Sequence, residues 1–228
     1  MKKGFTLVEL LVVISIISML AGQLLPSLST AREKGRQANC INNLHQMSIA
    51  IEMYYQDFKD YPPWLSALYR SYLSTPKIFV CITDKNKGLT GHGHESFPET
   101  NDIPPENIPG AGYTPPYEGP IAGFNQRNPE ITACSYIYEF CPNECSWFSW
   151  FMMDKTLAEI AQADKNGDGS VSWKEAKLWQ SSFGDARGKV PIVRCFWHYK
   201  VYNQKVLNLA FKDYNVFLSG PEWETSSK

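Results

Sequence analysis

Residues 1–26 read MKKGFTLVELLVVISIISMLAGQLLP, and the fold follows from how this stretch is understood. From Phe5 to Leu25 the run carries one charge, Glu9. About 20 apolar residues rising 1.5 Å each are what a bilayer core requires, so the run predicts a membrane-spanning helix with a carboxylate inside it. An acidic group there costs roughly 2.5–3.5 kcal/mol even on lenient insertion scales, so it calls for a partner and a purpose. A cleaved secretory signal has a shorter apolar core followed by a small-residue cleavage site. Here the run passes Ala21 and Gly22 and continues to Leu25, which favours an anchor. Lysine and arginine counts leave its direction open, because Lys2 and Lys3 on one side face Arg32, Lys34 and Arg36 on the other.

Working outward, the chain has 228 residues and a formal net charge of −1. Its acids and bases nearly balance, and its longest basic block is REKGR at 32–36. No nucleic acid partner is expected from such a balance. Beyond the anchor, roughly 170–200 residues suffice for one domain with a core. Six cysteines (Cys40, Cys81, Cys134, Cys141, Cys145 and Cys195) permit disulfides if that domain lies outside the cytoplasm.

Past the span, Gly22 and Pro26 mark a weak point in the helix. The chain then turns amphipathic: Ile41, Leu44, Met47 or Ser48, Ile51, Tyr55 and Phe58 recur at spacings of three and four. One helix from Phe5 to about Phe58 is predicted, on the order of 80 Å long, and DYPP at 60–63 stops it. LYRSYLSTPKIFVC at 68–81 reads as a short helix and then a strand, Ile78 to Ile82. Residues 88–130 hold most of the prolines and form a long loop. ACSYIYEF (133–140), VPIVRCFWHYKVY (190–202) and VLNLAFKDYNVFLS (206–219) are rich in β-branched and aromatic residues and read as strands. Helix first and strands last give an α+β fold, the long helix laid on a small antiparallel sheet, with a helix-loop-helix inserted.

That insertion centres on DKNGDGSVSWKE, Asp164 to Glu175. Calcium takes six to eight oxygen ligands, and an EF-hand loop supplies them at fixed positions. Here those positions hold Asp164, Asn166, Asp168, the Ser170 carbonyl, Ser172 or a water, and bidentate Glu175. Gly169 stands at the sharp turn and Val171 at the apolar eighth position. Leu157 and Ile160 before the loop, and Ala176, Leu178 and Trp179 after it, give the flanking helical pattern. EF-hands usually pair and one loop is visible, so a weak structural calcium site fits better than a sensor. Lesser signals read as structure: HGHE at 92–95 as a solvated loop, CSWFSWFMM at 145–153 as a core wall, His198 as a strand histidine, and Cys134, Cys141 and Cys145 as disulfide partners. No nucleophile elbow, phosphate loop or paired-acid set is present, so no enzyme is expected.

KKGFTLVELLVVISIISMLAGQLLP resembles the leader of type IV pilins and of type II secretion pseudopilins, and NCINNLHQMSIAIEMYYQDFKDYPP (39–63) resembles the helix end of the same family. The resemblance implies that a membrane-embedded prepilin peptidase cuts after Gly4, that the new terminus Phe5 is N-methylated, and that Glu9 serves assembly. It divides the chain into a leader (1–4), a transmembrane helix segment (5–26), the amphipathic half of the spine (27–60) and a head (61–228) that contains the loop at 164–175. It implies a single pass through the inner membrane, with N-terminus cytoplasmic and head periplasmic, and it implies partners: copies of itself or other pseudopilins in a filament, the peptidase, and an inner-membrane secretion platform. Pseudopilins of this kind hold their outer loops with calcium, though not usually through an EF-hand. Physics then suits Glu9 to the Phe5 amine of a neighbouring subunit, since a buried pair of this kind neutralises both groups and sets register. Two other readings stand beside a secretion pseudopilus. One is a type IV pilin of a surface or DNA-uptake filament, and the other is a membrane-tethered calcium-dependent binding module.

Overall fold

The computed structural model describes residues 5–89, 128–145, 162–182, 190–198 and 205–220. The first element, α1, spans Leu7–Phe58 without interruption. It passes straight through Pro26, so the expected weak point leaves no break. In its apolar half, Ser15 and Ser18 donate their hydroxyls to the carbonyls of Leu11 (2.8 Å) and Ile14 (2.7 Å). Polar side chains that satisfy themselves on their own helix are compatible with hydrocarbon surroundings. Among the described residues α1 is one helix long and apolar enough to cross a membrane, and its most apolar stretch is wholly exposed.

Two compact units divide the chain, Met1–Asn39 and Cys40–Lys228. Of the first, only the exposed helix is described. In the second, the buried side of α1 comprises Cys40, Leu44, Met47, Ser48, Ala50 and Ile51, a stripe at helical spacing. Burying each of Leu44, Met47 and Ile51 contributes roughly 1.5–3 kcal/mol. Phe58, expected on this stripe, is 61% exposed and packs on Tyr54 instead, with ring centroids 4.5 Å apart. Cys40, one turn ahead of Leu44, belongs to the stripe and was not expected there. Lys59 ends the helix in the left-handed region (φ 55°), its amide donating to the Tyr55 carbonyl at 2.8 Å. The Tyr138 hydroxyl donates to the Pro62 carbonyl at 2.6 Å and so ties the exit to the sheet.

Two 3-10 turns follow, Leu65–Leu68 and Pro76–Phe79. The second replaces the strand expected at 78–82. Pro76 stands at its start with φ already set, and the Thr75 hydroxyl caps the Lys77 amide. No helix forms between the two turns. Instead, Tyr69 bridges to Leu73, and Arg70 takes the left-handed conformation (φ 71°).

Among the described residues the sheet has four antiparallel strands in sequential order: β1 (Ile137–Tyr138), β2 (Pro191–Cys195), β3 (Val206–Ala210) and β4 (Val216–Ser219). Each predicted strand stretch contributes, but turns shorten them. Asp213 and Tyr214 lie in the β3–β4 turn, where Lys212 and Tyr214 both adopt positive φ. His198 sits in a turn beyond β2 rather than in a strand. A short helix, α2 (Trp173–Gln180), follows the acidic loop.

Alternation along β2 assigns the two faces of the sheet. Val193 and Cys195 share the face of Tyr136 and Tyr138, and this face meets α1, where the Tyr136 hydroxyl lies 3.6 Å from Cys40 Sγ. Arg194 points the other way, toward α2. There Glu139 bridges Arg194 Nη1 (3.1 Å) and Lys177 Nζ (2.8 Å), and all three side chains are fully buried. Arg194 also donates to Asn208 Oδ1 (2.9 Å) and the Gly220 carbonyl (3.0 Å). The second half of α1 thus packs on one face of the sheet and α2 reaches the other through Lys177, while β4 at the edge stays partly exposed, Leu218 by 42%.

Candidate functional site

Three groups of side chains stand out. The first lies at the start of α1. Thr6 and Glu9 occupy the N-cap and N3 positions of a capping box. The Glu9 amide donates to Thr6 Oγ1 at 3.3 Å, and the Thr6 amide and hydroxyl both donate to Glu9 Oε2, at 2.8 and 2.6 Å. Threonine followed three residues later by glutamate is a legible capping signal that the sequence reading passed over. In a single chain, then, the carboxylate is not bare. Its bonds all use Oε2, which leaves Oε1 for a cation. Phe5, next to this cap, is 73% exposed, and Gly4 lies outside the described residues.

The acidic loop forms the second group. Gly167 and Gly169 both take positive φ (74° and 87°), the latter at the position where an EF-hand turns sharply. Asp164 at the loop's start accepts the amides of Gly167 (2.7 Å) and Gly169 (2.9 Å). Glu175 at its end reaches back to the amides of Lys165 (3.2 Å) and Asn166 (3.3 Å) through Oε1, and to Ser172 through Oε2. Ser172 caps α2 and completes a capping box with Glu175. Asp168 accepts the Ser170 amide at 2.8 Å and its hydroxyl at 2.9 Å, bonds that hold its carboxyl below the usual range. Asn166 accepts the Asp168 amide at 2.9 Å. The donor set is all oxygen, which fits a hard cation such as calcium. Val171 is buried, as are Trp173, Ala176 and Trp179 behind the loop.

A lone loop ordinarily lacks the β-bridge through which paired EF-hands support each other. Here residues 143–145 supply it: the Cys145 amide donates to the Val171 carbonyl (2.8 Å), the Trp173 amide to the Asn143 carbonyl (2.9 Å), and Glu144 bridges antiparallel to Ser172. Lys177 then anchors α2 beneath the sheet through Glu139. Leu157 and Ile160, the helical pattern before the loop, lie outside the described residues, as do His92 to Glu95, most of the loop at 88–130 and most of the aromatic cluster at 145–153.

The third group was missed. Cys40 on α1, Cys81 after the second 3-10 turn, Cys195 at the end of β2 and His198 in the next turn place their sulfurs and a ring nitrogen within 4.8 Å of one another, all buried. The Cys81 thiol is drawn well below its usual range by hydrogen bonds with Cys195 and Cys40, to which His198 adds. Burial drives the Cys195 thiol well up. None of the six cysteines forms a disulfide, so the expectation for Cys134, Cys141 and Cys145 is not met; they are buried beside the sheet and the acidic loop.

Comparison with known proteins finds similarity over part of the chain. The prokaryotic N-terminal methylation motif matches residues 1–22, and a family described as a protein of unknown function (DUF1559) matches residues 29–68. Type II secretion system core protein G of Escherichia coli (strain K12) is 36% identical over 86 residues, covering 38% of this chain and 59% of that protein. The proteins of the same name from Pectobacterium carotovorum subsp. carotovorum and Klebsiella pneumoniae are 34% and 36% identical over 61 residues, 27% of this chain and 39% and 44% of theirs. The chain thus spans about two fifths to three fifths of the length of these relatives. No solved structure matches. The chain thus carries the N-terminal methylation motif and is similar over part of its length to type II secretion system core protein G.

Proposed function

We propose that the chain is a non-enzymatic pseudopilin subunit of a type II secretion pseudopilus, anchored in the inner membrane, cut after Gly4 by prepilin peptidase and assembled through α1. One observation carries the reading: a methylation motif over residues 1–22 runs directly into an unbroken helix, Leu7–Phe58, whose only acid before Glu33 is Glu9. A simple tether has no need of that carboxylate, which costs insertion energy. In the filament, the Phe5 amine of one subunit meets Glu9 of the next and competes with Thr6 for it. Outside the membrane, calcium held by Asp164, Asn166, Asp168, Ser170, Ser172 and Glu175 stiffens the head.

The test is to shear intact cells, separate released fibres from inner membranes, and measure the N-terminal mass in each fraction. Retention in the membrane with methylated Phe5 at the terminus is the expected result. Methylated protein in sheared fibres would make the chain a surface pilin. Retention with Met1 intact would overturn both and leave a tethered binding module.

A further inference from the structure

The Cys40, Cys81, Cys195 and His198 cluster lies apart from the acidic loop and takes no part in the assembly chemistry. Its donors are three sulfurs and one imidazole nitrogen, all within 4.8 Å of one another, and Cys81 Sγ lies 3.4 Å from His198 Nε2. Zinc binds thiolate at about 2.3 Å and imidazole at about 2.0–2.1 Å, so a tetrahedron of three sulfurs and one nitrogen spaces its ligand atoms roughly 3.5–3.8 Å apart. The observed spacing needs little contraction to close on an ion. A buried thiol alone proves nothing, because free cysteine behaves as a small apolar side chain. Four soft donors meeting at one point is the informative feature. A disulfide would use two of the sulfurs and leave the third, with the imidazole, against it.

We propose that Cys40, Cys81, Cys195 and His198 form a structural zinc site that clamps α1 to the sheet and to the second 3-10 turn. The four residues are 0% exposed, so the coordination shell is closed and no position remains for water or substrate, the mark of a structural rather than catalytic site. Cys195 and His198 form a compact Cys-x-x-His pair at the end of β2; Cys40 and Cys81 bring in the other two elements. Around the ligands, Tyr136 Oη lies 3.6 Å from Cys40 Sγ and itself accepts the Asn43 side-chain amide at 3.2 Å. Outer partners of this kind orient metal ligands. Zinc displaces the thiol protons to solvent on binding, with no change of oxidation state, and couples its binding energy to folding of the head.

The full chain, purified in detergent under reducing conditions without chelator, is assayed for metal and for thiols. One zinc per chain is expected to survive desalting, with Cys40, Cys81 and Cys195 resisting alkylation until a chelator is added. Replacing zinc by cobalt should give the thiolate-to-cobalt charge-transfer absorption. Cys81→Ser and His198→Gln should lose zinc while Cys134→Ser keeps it. The wild-type analysis decides even if a ligand variant fails to fold. A metal-free wild type that gives no cobalt spectrum on reconstitution overturns the site, whether its cysteines are all free thiols or two have been oxidised to a disulfide. Substoichiometric zinc, with thiol alkylation unchanged by chelator, overturns it equally.

Discussion

Removing a ligand from the acidic loop tests the calcium reading only if the variant leaves the bonds to the loop's backbone amides in place. Asp164→Ala does not, because Asp164 accepts the amides of Gly167 and Gly169. Its loss should cost about 1–3 kcal/mol with or without metal. Asp168→Asn is the sharper change: an amide oxygen still accepts the Ser170 amide and hydroxyl, which Asp168 Oδ1 now does, only the exposed bond that Asn166 Nδ2 donates to Asp168 Oδ2 at 2.9 Å is lost, and one of three carboxylates leaves the ligand set. In chelator it should shift stability by no more than about 0.5 kcal/mol, the usual range for a surface substitution. In calcium the wild type gains RT ln(1 + [L]/Kd). For a weak site of about 10⁻⁴–10⁻³ M in roughly 10 mM calcium, that is about 1.4–2.7 kcal/mol, or roughly 3–10 °C in melting temperature for a chain of this size. Tryptophan fluorescence of the detergent-solubilised chain follows the melt. Asp168→Asn should lose most of the calcium-dependent rise and little else. A wild-type melting temperature indifferent to calcium, or an Asp168→Asn deficit equal in calcium and chelator, would refute the reasoning.

Other consequences concern the head. Glu139→Gln removes the carboxylate that bridges Lys177 and Arg194 in a fully buried site, and thermal melts should report a loss of about 3–5 kcal/mol; Lys174→Met, which breaks a partly exposed pair with Asp60, should cost less than about 1 kcal/mol. Gly88→Ala places a Cβ 2.7 Å from the Cys134 amide nitrogen at a residue whose φ is +75°, so it should destabilise by more than about 1 kcal/mol, and an unchanged melt would contradict the close approach. Burial raises the Asp84 carboxyl above its usual range even though Ser135, Asn86 and Gly88 donate to it. A raised acid contributes stability that is present below the unfolded value of about 3.9 and is lost as pH climbs through the folded value. The melting temperature of wild type relative to Asp84→Asn should therefore fall across that window on going from acid toward neutral; a constant difference would contradict the shift.

The spine was legible because an uninterrupted apolar run, a 3.6-residue stripe and a Pro-Pro stop all say helix, and Leu7–Phe58 is one. The strands were legible as β-branched stretches but not in their limits. The positive φ of Lys212 and Tyr214 closes a hairpin inside one of those stretches, and no glycine marks it. Residues 76–79 misled because Ile-Phe-Val favours strand, whereas Pro76 and the Thr75 cap set a turn. Glu139, Lys177 and Arg194 would read as solvated charges, yet α2 reaches the second face of the sheet and the three are buried together. The Asx and Gly spacing of the acidic loop is local and could be read. The cluster of Cys40, Cys81, Cys195 and His198 draws on three distant segments, so no spacing announces it; only the Cys-x-x-His pair at 195–198 offered a hint.

In the proposed function Glu9 exists for assembly. That role is tested most directly by expressing Glu9→Leu and Glu9→Gln beside wild type and measuring, in the same cells, the fraction cleaved after Gly4 and the fraction crosslinked into filaments through α1. Both variants are expected to be cleaved normally and to assemble little. Co-expression with wild type should rescue the variants poorly, since each still offers an amine but no acceptor. Normal filament formation by cleaved Glu9→Leu would contradict that role, and would reduce Glu9 to the partner of Thr6 in a helix cap.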